Sequence, residues 1–229
     1  MLLKLSIMIQ NKKISLVLPC YNEEDGLRAI FKNDLSLIDE IIVVDNNSTD
    51  NTVGVARNFN CVVVEEKNPG YGAAYQAGFK RATGDIIIAM DGDDTYPIKT
   101  ARDFAEKIIK NDVDFISGNR LKRGKPSSMS ALNYVGNLLL TFAVRIFFIK
   151  NIEDSQSGMW VFRREVLDKL ELTSYGMAFS QEIKIEAVDK KFKFIEIPIE
   201  YNKRLGQVKL NCFRDGFKNL MFLLRRKFS

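Results

Sequence analysis

Short apolar runs alternate with amphipathic stretches along the first half of this chain, and that alternation limits the fold more than any other feature. Uninterrupted apolar runs suit strands buried on both faces of a parallel sheet, and each such strand needs a crossover helix to return the chain. The pattern predicts strands at Ile14–Leu18, Glu40–Asp45, Cys61–Glu66, Asp85–Met90 and Val113–Ser117. Helices are expected near Glu23–Lys32, Asn51–Asn58, Gly72–Ala82 and Lys99–Asn111, with Asp50 capping the second and Pro97 opening the fourth. The expected class is therefore α/β, a Rossmann-like, mostly parallel sheet flanked by helices.

After Ser117 the pattern changes. A basic loop, Arg120–Lys125, precedes an apolar segment, Val135–Ile149, broken by Arg145. At 15 residues that segment is short of the roughly 20 a bilayer crossing needs, and it reads as a core or interfacial helix. Beyond it come a strand-like Met159–Phe162, helices near Arg163–Leu170 and Ser180–Asp189, and a strand Phe194–Ile199. The tail from Asn211 to Phe228 is amphipathic, with Phe213, Phe217, Leu220, Met221 and Leu224 at helical spacing and cations between them, as in helices that lie on a membrane surface. We expect a catalytic domain over 1–210 and a basic amphipathic helix over 211–229 that anchors to a membrane surface.

With 229 residues, 46% of them hydrophobic and 28% charged, the chain has enough material for one large globular core. It contains no histidine, which excludes Ser-His-Asp triads, Cys-His pairs and histidine-ligated zinc. Chemistry must run on carboxylates, cations, hydroxyls and metal. Cys20, Cys61 and Cys212 are odd in number and widely spaced, so neither a disulfide framework nor a zinc cluster is expected. Met1–Gln10 lacks a charged leader and a small-residue cleavage site, and reads as no signal peptide. The net charge of +5 comes from the tail: eight cations stand against Asp215 alone between Lys203 and Ser229. A tail of that kind meets phosphates on nucleotides, nucleic acid or anionic lipid.

Four expected strand ends are richly polar: Pro19-Cys20-Tyr21-Asn22-Glu23, Asp45-Asn46-Asn47-Ser48-Thr49-Asp50, Pro69-Gly70-Tyr71-Gly72 and Asp91-Gly92-Asp93-Asp94. Parallel strands would set them along one crevice, where α/β sheets bind ligands. Three acids in four residues after an apolar run repel one another unless a cation is present, and carboxylate oxygen favours Mg²⁺ or Mn²⁺. A plain acidic turn before Pro97 is the alternative. The Gly70–Gly72 turn suits a diphosphate at a helix start, yet it matches neither a P-loop nor a complete GxGxxG. Asp45 reads either as a ribose-binding acid or as a turn former.

Together, PCYNEE, DNNSTDNT, GYGAAYQAG and MDGDDTYP, in that order and spacing, resemble the family 2 glycosyltransferases with the A-type fold. Downstream, Gly118-Asn119-Arg120, Asp154-Ser155-Gln156-Ser157-Gly158, Glu182, Glu196-Ile197-Pro198-Ile199 and Arg204-Leu205-Gly206-Gln207-Val208-Lys209-Leu210 are similar to the polyprenyl-phosphate branch, the dolichyl-phosphate mannose synthase kind. The resemblance runs from about Ile14 to Leu224.

It implies that Pro19, Tyr21, Glu23, Val43 and Asp45 hold the nucleoside, that Asp91 and Asp93 form the metal pair with Gly92 close to the donor, and that Arg120 meets phosphate at the reacting centre. Arg204 and Lys209 match a cationic pair on a late mobile loop that covers the donor. The chain departs from the pattern at Thr95, where Gln is frequent, at Val208, where Ser is common, and in showing none of the C-terminal transmembrane helices of some members. Anchoring is then expected from the tail, the apolar segment or a partner.

The implied reaction moves a hexose, with inversion, from a nucleotide-diphosphate sugar (GDP-mannose or a UDP-sugar) to dolichyl or polyprenyl phosphate at the cytoplasmic face of a membrane. A phosphate monoester is largely dianionic at neutral pH, so a histidine-free site needs no general base. The alternative is a hydroxyl acceptor on a glycan or lipid, with Asp154 as base and Glu182 behind it. Phe213, Phe217, Phe222 and Phe228 among the tail's cations also resemble stacking platforms, but no RNA-binding signature accompanies them and nucleic acid is not an expected partner.

Overall fold

The computed structural model describes residues 12–148, 151–207, 209 and 211–228. Met1–Gln10, Ile149, Val208 and Leu210 lie outside the described residues. Seven strands form one sheet in the order β3-β2-β1-β4-β6-β5-β7. They are β1 (Ile14–Cys20), β2 (Glu40–Asp45), β3 (Val62–Glu65), β4 (Ile86–Ala89), β5 (Phe115–Asn119), β6 (Trp160–Arg163) and β7 (Phe194–Pro198). All neighbours are parallel except β6, which runs antiparallel to both β4 and β5. The helices are α1 (Glu24–Ile30), α2 (Thr52–Asn58), α3 (Tyr71–Arg81), α4 (Ile98–Lys110), α5 (Ala131–Phe148), α6 (Arg164–Leu167), α7 (Phe179–Asp189) and α8 (Cys212–Phe228).

Alternate residues of each strand face opposite layers, and the core divides accordingly. Leu16, Leu18, Val43, Ile86, Ile88, Ile116 and Val161 pack against Leu27 and Ile30 of α1, Val55 of α2, and Phe104 and Ile108 of α4. Val17, Ile42, Val44, Ile87, Phe115, Trp160 and Phe162 pack against Tyr75 and Phe79 of α3 and Phe179 and Ile183 of α7. A smaller cluster of Val144, Ile152, Ile185 and Leu223 joins α5, α7 and α8.

Most boundaries agree with the sequence reading to within two residues, and four details differ. The N-cap of α2 is Asn51. Asp50 instead accepts the Thr52 N–H at 3.0 Å and the Glu24 N–H at 3.2 Å, tying two helix starts together. The helix expected over Arg163–Leu170 is a single α-helical turn, Arg164–Leu167, which tightens into i→i+3 bonds at Lys169 and Leu170 before Glu186 takes the N–H of Glu171 and Glu182 those of Thr173 and Ser174. β5 runs two residues later than expected, since Gly118 and Asn119 pair with Ile197 and Pro198 of β7. Finally, α5 has 18 residues, so at 1.5 Å per residue it is about 27 Å long. By length and composition alone it is long and apolar enough to cross a membrane, three residues longer than the 15-residue apolar run in the sequence.

Candidate active site

The chain leaves β1 outward through β2 and β3 and returns on the other side at β4, so the strand order reverses between β1 and β4. Ligands of α/β sheets bind beyond the carboxyl ends at such a reversal. β4 releases the chain there into Asp91-Gly92-Asp93-Asp94, a turn pressed between β1 and α1. A Cβ at Gly92 would fall 2.5 Å from the Cys20 sulfur, and one at Gly26 would collide with the Gly92 carbonyl.

Asp91 is gripped from α3. Its Oδ1 accepts the Tyr71 hydroxyl at 2.8 Å and the Tyr75 hydroxyl at 3.2 Å, while Oδ2 makes no hydrogen bond among the described residues. Asp93 is held by its own turn, Oδ1 accepting the Thr95 N–H at 3.0 Å and the Thr95 hydroxyl at 2.6 Å. Its Oδ2 receives Nη1 of Arg204 at 2.5 Å. Thr95 thus orients the carboxylate from behind.

The other wall is Glu23, at the entrance of α1. Its Oε1 accepts Nζ of Lys209 at 2.6 Å and Nη2 of Arg204, whereas Oε2 is buried without a hydrogen-bond partner among the described residues. Lys209 donates also to the carbonyls of Tyr21 and Asn22 and sits 5.4 Å from the centre of the exposed Tyr21 ring. Main-chain bonds from Asn202 to Thr95 and from Leu205 to Asp93 lay this late segment across the acids. Asp45 closes the floor at the end of β2, level with Cys20.

Five acids, Glu23, Asp45, Asp91, Asp93 and Asp94, therefore crowd one crevice that holds two cations, Arg204 and Lys209. Burial, followed by the charge of Asp93, pushes Asp91 up to about 7. Burial also raises Glu23, although Lys209 and Arg204 oppose it, and burial and Asp93 raise Asp94. Surplus hard oxygen with Asp91 Oδ2 open fits a divalent cation. No three of the acidic or thiol side chains enclose a metal among the described residues. The protein would thus supply only part of a shell, as Mg²⁺ and Mn²⁺ sites on substrate phosphates commonly require.

Because β6 is antiparallel, the loop entering it lies at the same edge as the loops leaving β4 and β5. Arg120, just past β5, is buried there against Asp154. Its main-chain N–H, Nε and Nη2 all reach the Asp154 carboxylate at 2.9 Å, and its guanidinium carbon stands 5.3 Å from the centre of the Tyr201 ring. Burial alone would raise Asp154, but the charge and hydrogen bonds of Arg120 hold it below the usual carboxylate range. From Thr95, Arg120 and Arg204 an apolar cavity of about 690 Å³ extends between α5 and α8.

Of the residues singled out in the sequence, Pro19, Tyr21, Glu23, Asp45, Asp91, Gly92, Asp93, Arg204 and Lys209 gather at this crevice, and Arg120 stands at its far end. Val43 does not join them: it is fully buried in the core between Leu18 and Val63. Sequence reasoning set Tyr71 at the crevice without giving it a role and missed Tyr75; their i,i+4 spacing at a helix start was the available signal. It also missed Tyr201, which no pattern marks, and Lys184, a lysine flanked by isoleucines on a buried helix.

A model of glycosyl transferase family 2 matches residues 15–171. The chain is 34% identical over 220 residues to the low-salt glycan biosynthesis hexosyltransferase Agl6 of Haloferax volcanii, covering 92% of this chain and 53% of that protein. It is 30% identical over 206 residues to a dolichyl-phosphate hexose transferase of the same organism, covering 89% of each. A dolichol-phosphate mannosyltransferase of Pyrococcus furiosus is 31% identical over 211 residues, 86% of this chain and 59% of that one. The chain thus spans little more than half the length of two of these relatives. Glucosyl-3-phosphoglycerate synthase from Mycobacterium tuberculosis, 19% identical, superposes with a TM-score of 0.80 over 100% of this chain and 84% of its own, which establishes the A-type fold.

Proposed function

The chain belongs to glycosyl transferase family 2, and from that premise we propose that it moves a hexose from a nucleotide-diphosphate sugar to the phosphate of a membrane polyprenol. The observation that carries the reading is the apolar cavity between α5 and α8 with Arg120 and Arg204 at its head, a place for a lipid chain that ends in an anion. The names of the dolichyl-phosphate relatives support it.

Pro19, Tyr21, Glu23 and Asp45 would hold the nucleoside, and Asp91 and Asp93 would hold Mg²⁺ or Mn²⁺, which when bound neutralises the diphosphate leaving group. Arg204 and Lys209, resting on the acids, are placed to swing onto that diphosphate. Arg120 would aim the acceptor phosphate. An acceptor oxygen bonds to the anomeric carbon as the bond to the diphosphate breaks, with inversion, and the electron pair leaves with the diphosphate. No proton need move, because the second pKa of a phosphate monoester is about 6. Engagement of both Asp154 oxygens by Arg120 favours this over a hydroxyl acceptor with Asp154 as base. Transfer of labelled sugar to polyprenyl phosphate and not to free glycans is the expected result; the reverse preference rejects the proposal. A thermal-shift screen of GDP- and UDP-sugars with Mn²⁺ identifies the donor.

A proton competes with the metal at Asp91. Since its carboxyl is raised to about 7, the ion-binding form is lost as pH falls through that value. Mn²⁺ affinity measured by calorimetry should fall up to about tenfold per pH unit below that point. An affinity constant from pH about 5.5 to 8 would rule out Asp91 as a ligand.

The membrane contact we assign to α5 and α8. Leu139, Phe142 and Ile146 of α5 and Phe213 and Phe217 of α8 are exposed, beside the exposed Arg214, Lys218 and Lys227. Deleting α8 would also strip Leu223 from the core, so point changes are cleaner. Phe217→Ser should weaken sedimentation with all vesicles by roughly tenfold, as burial of a Phe is worth about 1.5–3 kcal/mol. Lys218→Gln should weaken it only on anionic vesicles, by a charge worth about 1 kcal/mol. Unchanged sedimentation of both variants would remove this surface from the proposal.

A further inference from the structure

Lys184 of α7 is fully buried, although an ammonium is among the costliest groups to take out of water. Its Nζ donates to the main-chain carbonyl of Asp154. The Glu196 carboxylate of β7 accepts the N–H of that same residue at 3.1 Å and also the N–H of Glu153. One stretch of backbone is thus held by a cation on its carbonyl and an anion on its amides. The Asp154 carboxylate in turn takes Nε and Nη2 of Arg120. Nη1 of Arg120 makes no hydrogen bond among the described residues, and the residue lines the head of the apolar cavity.

The geometry points to Lys184 and Glu196 as a positioning pair that fixes Arg120 through Asp154, so that Nη1 meets the acceptor phosphate; this rests on the phosphate-acceptor reading above. Packing alone does not call for buried charge here, because apolar side chains of similar volume commonly replace buried charged groups without loss of stability. The charged groups facing Lys184 are Asp154 before β6, Glu196 of β7 and Arg120 after β5. Glu153 is turned away onto Asn119 and Lys122, and Arg145 of α5 donates to the Ile152 carbonyl. Burial, only partly offset by Asp154 and Glu196, lowers the Lys184 ammonium to about 8. Below that pH the cation grips Asp154 and adds to the positive field at Arg120; above it both effects fade.

Steady-state kinetics of the full chain with polyprenyl phosphate, from pH about 6.5 to 9.5, test the pair. In the unmodified enzyme the acceptor KM should rise above pH 8, by up to about tenfold per unit, with the donor KM steady. Lys184→Met should raise the acceptor KM at neutral pH and abolish the alkaline rise, and Lys184→Arg should keep the low KM and remain flat. A flat acceptor KM in the unmodified enzyme, or equal losses in kcat and both KM values in Lys184→Met, overturns the assignment. If neither variant folds, the Arg120 Nε–H resonance of the unmodified protein decides: movement with a midpoint near 8 supports the pair, and no movement overturns it. That resonance also separates the two ideas. Movement without any transfer to polyprenyl phosphate rejects the acceptor and leaves the positioning pair standing.

Discussion

Asp93→Ala is expected to lower sugar transfer by about 10³-fold or more, equivalent to about 4 kcal/mol of transition-state stabilisation, while the protein melts within a few degrees of the unmodified chain. Asp93 connects three things: Thr95 behind it, Arg204 above it and the cation it would share with Asp91. Removing it leaves Arg204 on Glu23, so no buried charge is stranded and the fold keeps its core. What disappears is the means of neutralising a departing diphosphate. Asp91→Ala should match it in activity, with the Tyr71 and Tyr75 hydroxyls losing their shared acceptor. Radiolabelled transfer assays alongside circular-dichroism melts read both quantities. Full turnover in excess chelator would falsify the cation's role whatever the variants do.

Asp154→Ala should have the largest effect on stability. It strips Arg120, itself buried, of its carboxylate, and an uncompensated buried charge costs about 3–5 kcal/mol. For a chain of this size that is a fall of about 10 °C in melting temperature. The double variant Arg120→Met, Asp154→Leu should recover most of the stability and none of the transfer. Recovery of transfer would show that Arg120 contributes nothing at the reacting centre. Asp154→Asn is informative too: it also leaves the buried Arg120 charge uncompensated, and only if Asp154 were a general base would the pH–rate profile lose an acidic limb as well.

The parallel half of the sheet was legible because Ile86–Met90 and its counterparts are nearly pure apolar runs, and the carboxyl-end placement of Asp45, Asp91 and Asp93 follows from parallel pairing alone. The half around Arg120 and Asp154 was less so. Asp154 and Arg120 are 34 residues apart, and only the antiparallel insertion of β6 between β4 and β5 brings them together; local pattern contains no trace of it. The resemblance supplied Arg120, but not that Asp154 would clasp it. Val43 shows the opposite case: period 2 sets it on the same face of β2 as Asp45, but one step further into the sheet its side chain is enclosed in the core between Leu18 and Val63. The short turn at α6 was read as a longer helix because Lys169 and Leu170 continue it with i→i+3 bonds that apolar periodicity does not tell from α-helical ones.

The reversed direction of β6 has a consequence for how such an enzyme can diversify. Loops leaving β1, β2 and β4, all encoded before residue 95, form the acidic wall of the crevice, while α5, the loop entering β6 and α8 come later in the chain, the two helices lining the apolar cavity. The two halves meet along one rim and occupy separate stretches of polypeptide, except for the Arg204–Lys209 segment that folds back across the acids. On the proposed reading, exchange of α5 and α8 alone would redirect where the sugar is delivered while leaving in place the acids and cations that unload it.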